Sequence, residues 1–211
     1  MTGVKRILVV GSFNLEKAEE MADLLADVGV PVKSAQGFPG IKPVPEDGTT
    51  FAENARIKAT KIAAQLGQAK DILGVVADDS GLEVDALDKR PGVYSARYLG
   101  EEATDPERVR GILSELGDLP EEKRTARFRC AIAFARRGEV PIETEGVVEG
   151  RIAFAPAGDF GFGYDPIFIP EGYERTFAEL GANVKHHISH RAVALREFHE
   201  RLVAFLGERK G

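Results

Sequence analysis

Two adjacent acids, Asp78 and Asp79, stand directly behind the apolar run Ile72, Leu73, Val75 and Val76. Charged side chains are rarely set at the end of a buried strand without a partner. Successive strand side chains point to opposite faces, so the two acids should have different tasks. One could hold a magnesium ion while the other fixes the turn; both could instead be solvated turn residues. Magnesium needs few protein oxygens, because it keeps several waters and phosphates supply the rest. A second acidic stretch, Glu46-Asp47, precedes Glu53-Asn54-Ala55-Arg56-Ile57-Lys58. Alone, it reads as a loop with two acids. Asn54 and Lys58, however, are four residues apart and share one helix face, which could turn towards an acidic loop as a phosphate-and-metal wall.

Three more segments carry polar chemistry. Gly11-Ser12-Phe13-Asn14-Leu15-Glu16-Lys17 joins an apolar strand to a helix. The amides at such a helix start bind anions, and Ser12, Asn14 and Lys17 add donors and charge. Equally, Ser or Asn there could be a cap. The loop is not a Walker sequence, for it lacks the Gly-Lys-Ser/Thr ending. In Gly158-Asp159-Phe160-Gly161-Phe162-Gly163-Tyr164-Asp165-Pro166, Phe162 could stack on a base and Asp165 could read its edge, or the loop could simply pack its aromatics. Finally, Lys185-His186-His187-Ile188-Ser189-His190-Arg191 groups three histidines without a neighbouring cysteine or carboxylate to complete a tetrahedral metal set. Lys185, His190 and Arg191 at a positive helix end suit a nucleotide better. Cys130 alternates with Phe128, Ile132 and Phe134 and is expected in the core.

The elements that must position these residues alternate between strand and helix, as in an α/β fold. Arg6–Val10 reads as a first strand; Ala18, Met21, Leu24, Leu25 and Val28 follow at helical spacing up to Gly29. Pro31–Lys42 reads as extended. Thr50 and Glu53 form a capping box opening a helix to about Gly67. Strands are expected at Ile72–Ala77, Phe128–Ala135 and Val147–Phe154, with a hairpin tip at residues 136–139. Pro91-Gly92 marks a turn. Asp105-Pro106 starts a helix that Gly117 ends, and a last helix begins near Ser189 with Leu195, Phe198, Leu202 and Phe205 inside. A hairpin within the alternation implies a mixed sheet.

The composition narrows the partners. The 211 residues are 43% hydrophobic and 29% charged, the balance of a globular protein. A single cysteine excludes an internal disulfide and suits a reducing compartment. The net charge of −6 speaks against a general nucleic-acid binder; a polyanion would need a local cradle of cations, amides or metal. No apolar stretch reaches the ~20 residues of a membrane span, and the opening MTGVKRILVVGS lacks the layout of a signal peptide, so the chain is expected in the cytoplasm and away from membranes.

Taken together, TFAENARIKA, ADDSGLEVDAL, PGVYSARY, GFGYDPIF, TFAEL and SHRA, in this order between Val9 and Leu195, resemble the inosine triphosphate pyrophosphatase family, the XTP/dITP diphosphatases. The resemblance implies one domain over residues 1–211. It implies an elongated mixed sheet flanked by helices, in two lobes with a central nucleotide cleft, and a homodimer. It also implies magnesium-dependent hydrolysis of ITP, dITP and XTP to the monophosphate and pyrophosphate. Matched by motif, Ser12, Asn14 and Lys17 would hold the triphosphate, and Glu46 and Asp79 the metal. Asp79 would also accept a proton, Ser80 would contact substrate and Lys58 would face the phosphates. Phe162, Gly163, Tyr164, Asp165, Lys185, His190 and Arg191 would surround base and sugar. This sequence departs from the family at Phe13, where a small residue is usual, so the bulky side chain is expected to narrow the backbone geometry of the phosphate loop. Two alternatives use similar features: a non-catalytic nucleotide sensor, against which the paired acids argue, and a septum-formation-type pyrophosphatase, whose signature loops are not apparent.

Overall fold

A computed structural model describes residues 6–67, 69–136 and 139–208. Six strands form one mixed sheet in the order β2-β1-β3-β4-β5-β6, where β1 is Ile7–Val10, β2 Val32–Ser34, β3 Ile72–Val84, β4 Thr125–Ala135, β5 Ile142–Ile152 and β6 Phe168–Pro170. Strand β1 runs parallel to β2 and β3, pairing Val9 with Lys33 and Val75, whereas β5 and β6 are antiparallel, with Arg151 opposite Ile169. The helices are α1 (Leu15–Leu24), α2 (Phe51–Leu66), α3 (Asp105–Leu116), α4 (Phe177–Ile188) and α5 (His190–Glu208). The expected α/β class and mixed sheet are therefore present.

The chain divides into two units. The first comprises the chain up to Asp79, Ala131–Glu145 and the chain from Ala194 onward; the second comprises Ser80–Cys130 and Gly146–Val193. In the first, β1 is buried throughout its last three residues because both its neighbours pair with it and α1 and α2 bring Met21, Leu25, Ala55, Ala59 and Ile62 to the same core. Helix α2 begins at the expected capping box: the Glu53 N–H donates to the Thr50 hydroxyl at 3.1 Å while the Thr50 N–H donates to the Glu53 carboxylate at 3.2 Å. Arg56 reaches from α2 to Glu143 with two hydrogen bonds, one at 2.9 Å.

The second unit is built on an aromatic core. Phe128 lies 4.6 Å from Phe168 between ring centroids, and Phe168 lies 5.4 Å from Phe177. Leu82, Val84, Ile112, Leu116, Ile152 and Ile167 surround them. Helix α3 starts as expected at Asp105-Pro106, with a capping box between Thr104 and Glu107. Arg124 is buried, has no carboxylate partner among the described residues, and donates to four main-chain carbonyls, those of Ile152, Ala153, Gly117 and Leu119. It thereby ties the end of α3 to the end of β5.

Several boundaries differ from expectation. Extended backbone after Pro31 is limited to β2 and gives way to a short 3-10 turn at Ala35–Gly37. Strand β5 begins at Ile142, five residues before Val147, and ends at Ile152. Helix α4 and strand β6 lie outside the expected elements. TFAEL is a helix start, with the Glu179 N–H on the Thr176 hydroxyl at 3.2 Å, but its apolar spacing is interrupted where Gly181 leaves helical geometry at φ 76°. Residues 137 and 138 of the expected hairpin tip lie outside the described residues. Cys130 is buried, as expected. No helix among the described residues is long and apolar enough to cross a membrane.

Candidate active site

Asp78 and Asp79 are the largest correction to the expected elements. They are not turn residues. Strand β3 continues through both of them to Val84, and they are only 1% and 4% exposed. An apolar run followed by acids looks like a strand end. The strand persists because the two acids share the cations Lys17 and Lys58. Asp78 Oδ2 lies 3.8 Å from Lys17 Nζ, while Asp79 meets α2. Asn54 Nδ2 donates to Asp79 Oδ2 at 2.9 Å, and Lys58 Nζ lies 3.9 Å from Asp79 Oδ1. The same ammonium lies 3.2 Å from Glu46 Oε1. The helix face carrying Asn54 and Lys58 thus turns towards acids, as their four-residue spacing allows.

The charges in this group are set against one another. Burial pushes the Asp79 carboxyl up to about 6, with the Glu46 charge adding to the rise; Lys58, Lys17 and the Asn54 hydrogen bond pull the other way. Burial alone would lower the pKa of Lys58, but Asp78, Asp79 and Glu46 together raise it, so the ammonium stays charged. A carboxylate titrating near neutrality can accept a proton and release it again, which a carboxylate at its ordinary value does poorly.

At the start of α1, Asn14 is the cap: its side-chain oxygen accepts from the Lys17 N–H at 2.8 Å. Ser12, buried, donates through its hydroxyl to the Asn14 carbonyl at 3.2 Å. Capping leaves the anion-binding character of the helix start intact, since the remaining first-turn amides and the dipole face the same way. Phe13 does not need a glycine-like backbone; among the described residues only Asp88, Lys89 and Leu99 combine a side chain with positive φ. Phe13 thus sits in a backbone conformation open to any side chain.

The donor set suits magnesium in the form the family implies. Glu46 and Asp79 present hard carboxylate oxygens to one point, now bridged by the Lys58 ammonium. No group of three or more His, Cys, Asp or Glu that could hold a metal occurs among the described residues. Two carboxylates without a closed protein cage match an ion that relies on water and substrate phosphates for its other ligands.

The second unit gathers the remaining residues. In the loop 158–165, Gly161 has φ +85°, and a Cβ there would stand 2.1 Å from Asp165 Oδ2. Asp165 is buried, accepts the Phe162 N–H at 3.0 Å, and pairs with Lys185 at 2.7 Å. The Lys185 ammonium lies 4.5 Å from the centre of the Phe162 ring, and the Arg191 guanidinium 5.9 Å from it. Asp165, Lys185 and Phe162 thus form one stack in which a buried acid fixes both the cation and the loop. Arg191, also buried, donates to the Ser80 hydroxyl at 2.9 Å. His190 stacks on Phe128 at 4.8 Å between ring centroids. The Gly163 N–H donates to Asp105 at 2.7 Å. Tyr164 packs its ring into the aromatic core, and its hydroxyl donates to the Ser95 carbonyl at 2.9 Å; burial raises its pKa, so it stays neutral. Ser189 accepts the Ala192 N–H at 3.1 Å, the capping role its type suggested.

Ser95, in PGVYSARY, is a structural residue with no local signal in the sequence. Its hydroxyl accepts the Leu82 N–H at 2.9 Å and donates to the Gly92 carbonyl at 2.6 Å, so it fixes the backbone that follows Ser80 in β3. A serine between apolar neighbours carries no local signal of that task. Arg97 lies over the Tyr94 ring at 4.9 Å, and the Tyr98 hydroxyl bonds Glu115.

The Ham1 family model matches residues 8–201. A dITP/XTP pyrophosphatase from Bacillus cereus is 44% identical over 211 residues, covering 99% of this chain and 100% of its own. One from Shouchella clausii is 47% identical over 193 residues, covering 92% and 94%. Among solved structures, a HAM1 protein from Coxiella burnetii superposes with a TM-score of 0.83 at 41% identity, covering 94% of this chain and 99% of that one. On its matched span, its identity to these relatives and its backbone, the chain belongs to the Ham1 family.

Proposed function

We propose that this protein hydrolyses deaminated purine nucleoside triphosphates (dITP, ITP and XTP) to the monophosphate and pyrophosphate. The observation that carries the reading is the Lys58 ammonium held between Glu46 and Asp79, beside the Lys17–Asp78 pair. A protein of net charge −6 attracts a triphosphate only through such a local array. The close relatives named for dITP and XTP support the substrate class.

Glu46 and Asp79 would hold magnesium, which when bound neutralises phosphate charge and the charge growing on the leaving group. Ser12, Asn14 and Lys17 bind the phosphates at the start of α1. Lys58 exchanges part of its carboxylate pairing for phosphate oxygens. Asp79 orients a water and takes its proton as the water oxygen bonds to the α-phosphorus; the bond from that phosphorus to the α,β-bridging oxygen breaks, and pyrophosphate departs. Phe162 and the loop to Asp165 take the base and sugar with Lys185, His190 and Arg191. Inosine and xanthine carry an oxygen at position six, which a donor such as Arg191 or His190 satisfies, whereas the amino group of adenine leaves that donor unpaired at a cost of about 1–3 kcal/mol. Guanine must be refused at its 2-amino group, by shape or by an unmatched donor.

The same resemblance extends to a homodimer acting in the cytoplasm, which light scattering and fractionation test. The activity itself is tested by a panel of dITP, ITP, XTP, dATP and dGTP with and without magnesium. Pyrophosphate released from the first three, and only with the metal, is expected; equal turnover of dATP or no release refutes the reading.

A further inference from the structure

We propose that Asn54 is a positioning residue that sets the plane of the Asp79 carboxylate and ties it to the loop carrying Glu46; the proposal rests on the reaction proposed above. Asn54 is fully buried, in the first turn of α2. Its side chain works in both directions. Oδ1 accepts the Gly48 N–H at 2.8 Å, and Nδ2 donates to Asp79 Oδ2 at 2.9 Å. These partners fix the orientation of the amide, because a main-chain N–H can only donate and a carboxylate oxygen only accept. Lys58, one helical turn on, lies beside the other oxygen, Oδ1. Two side chains on one helix face thus address the two oxygens of one carboxylate, Asn54 by a hydrogen bond that directs its plane and Lys58 by charge.

The other end of the amide holds the loop. Gly48 is pressed onto α2 so closely that a Cβ would stand 2.7 Å from Asn54 Oδ1 and 2.8 Å from the Cβ of Glu53. The next two residues, Thr49 and Thr50, donate their N–H groups to the Glu53 carboxylate at 2.7 and 3.2 Å. Glu46 lies two residues before Gly48, and its carboxylate meets Lys58. Asn54 therefore hydrogen-bonds both the backbone of the loop bearing one carboxylate and the other carboxylate itself, beside Lys58, whose ammonium pairs with both acids. Aspartate in its place keeps the acceptor for Gly48 but sets a carboxylate against Asp79. Alanine removes both bonds.

The test is kinetic and structural. Wild type, Asn54→Asp, Asn54→Ala, Asp79→Asn and the double variant Asn54→Ala/Asp79→Asn are assayed with dITP and magnesium, with Phe198→Leu as a core variant that lowers stability elsewhere. Removing partners that orient metal-binding side chains costs about 10–100-fold, so both Asn54 variants should lose kcat on that scale, with KM within about threefold. The Phe198 variant should keep its kcat. In the Asp79→Asn background the Asn54 change should add less than about twofold, since residues acting as one unit are not additive. A crystal structure of Asn54→Ala should show the Asp79 carboxylate rotated and residues 45–50 displaced. Wild-type kcat in both Asn54 variants, full additivity in the double variant, or an unmoved carboxylate and loop overturns the proposal. Failure of the wild type to hydrolyse dITP overturns the reaction instead, and the crystal structure then still decides whether Asn54 sets Asp79.

Discussion

Asp79 is expected to make the metal-free protein less stable as the pH rises, and to do so measurably. Its carboxyl titrates at about 6 in the folded chain, against an ordinary value of 3.8, because burial disfavours the charged form more than Lys58 and Lys17 favour it. A folded-state pKa raised above the unfolded one means that the native protein binds the proton more tightly. Below about pH 4 the group is protonated in both states and costs nothing. As the pH rises from 4 to 6, the unfolded chain ionises freely and the folded one resists, so stability falls. Above about 6 the loss is complete. A rise of roughly two units corresponds to about 3 kcal/mol at most, or a melting temperature lower by about 6–12 °C in a domain of this size. The comparison is with Asp79→Asn, which cannot titrate: thermal melts of both proteins in a chelator between pH 4 and 8. The variant should gain on wild type progressively from pH 4 to about 6.5 and keep a constant lead thereafter, while losing activity. A difference in melting temperature that does not change across that range would refute the reasoning, whatever its absolute size.

Three further outcomes follow from the same contacts. Lys58→Ala leaves Glu46, Asp78 and Asp79 without their shared cation, so the metal-free variant should lose about 3–5 kcal/mol in urea unfolding, and magnesium should restore part of it. Arg191→Ala should reduce the preference for dITP over dATP by about 1–3 kcal/mol, or roughly 5–150-fold in the ratio of kcat/KM, as measured by pyrophosphate release. Asp85, held well below the usual carboxylate range by hydrogen bonds from Arg127 and then Lys89 and Thr125, contributes stability above about pH 4 that disappears on acidification. Asp85→Asn should accordingly flatten the acid limb of the stability profile, read by circular dichroism.

Much of the fold could be read locally, and its successes share one cause. Capping boxes at Thr50 and a proline at the start of α3 are satisfied within four residues, so their signals survive any tertiary context. Strand β3 runs past its apolar stretch because its acids owe their burial to Lys17 and to Asn54 and Lys58 on α2, partners distant in the chain, Asn54 being 25 residues from Asp79. Helix α4 was missed because Gly181 breaks its period, although Thr176 and Glu179 announce its start. Residue type and placement point to Ser12, Asn14, Lys17, the Asp78-Asp79 pair, Phe162, Asp165, Lys185, His190 and Arg191, and spacing links Asn54 with Lys58; the family resemblance adds Ser80, Gly163 and Tyr164 and the separate roles of Glu46 and Asp79. What no local pattern could reveal is division of labour. Tyr164 has the type and place of a ligand contact, yet its ring fills the aromatic core. Asp165 has the type of a base reader, and its carboxylate also fixes Lys185 and the Phe162 amide.

In the proposed reaction, water attacks the α-phosphorus under the control of Asp79 and its neighbours. Its most direct test is hydrolysis of dITP by the purified chain in water enriched in oxygen-18, with products resolved by phosphorus NMR. The account predicts dIMP and pyrophosphate, with the heavy oxygen on the monophosphate and none on pyrophosphate. Label in pyrophosphate, or release of dIDP and orthophosphate, would contradict it.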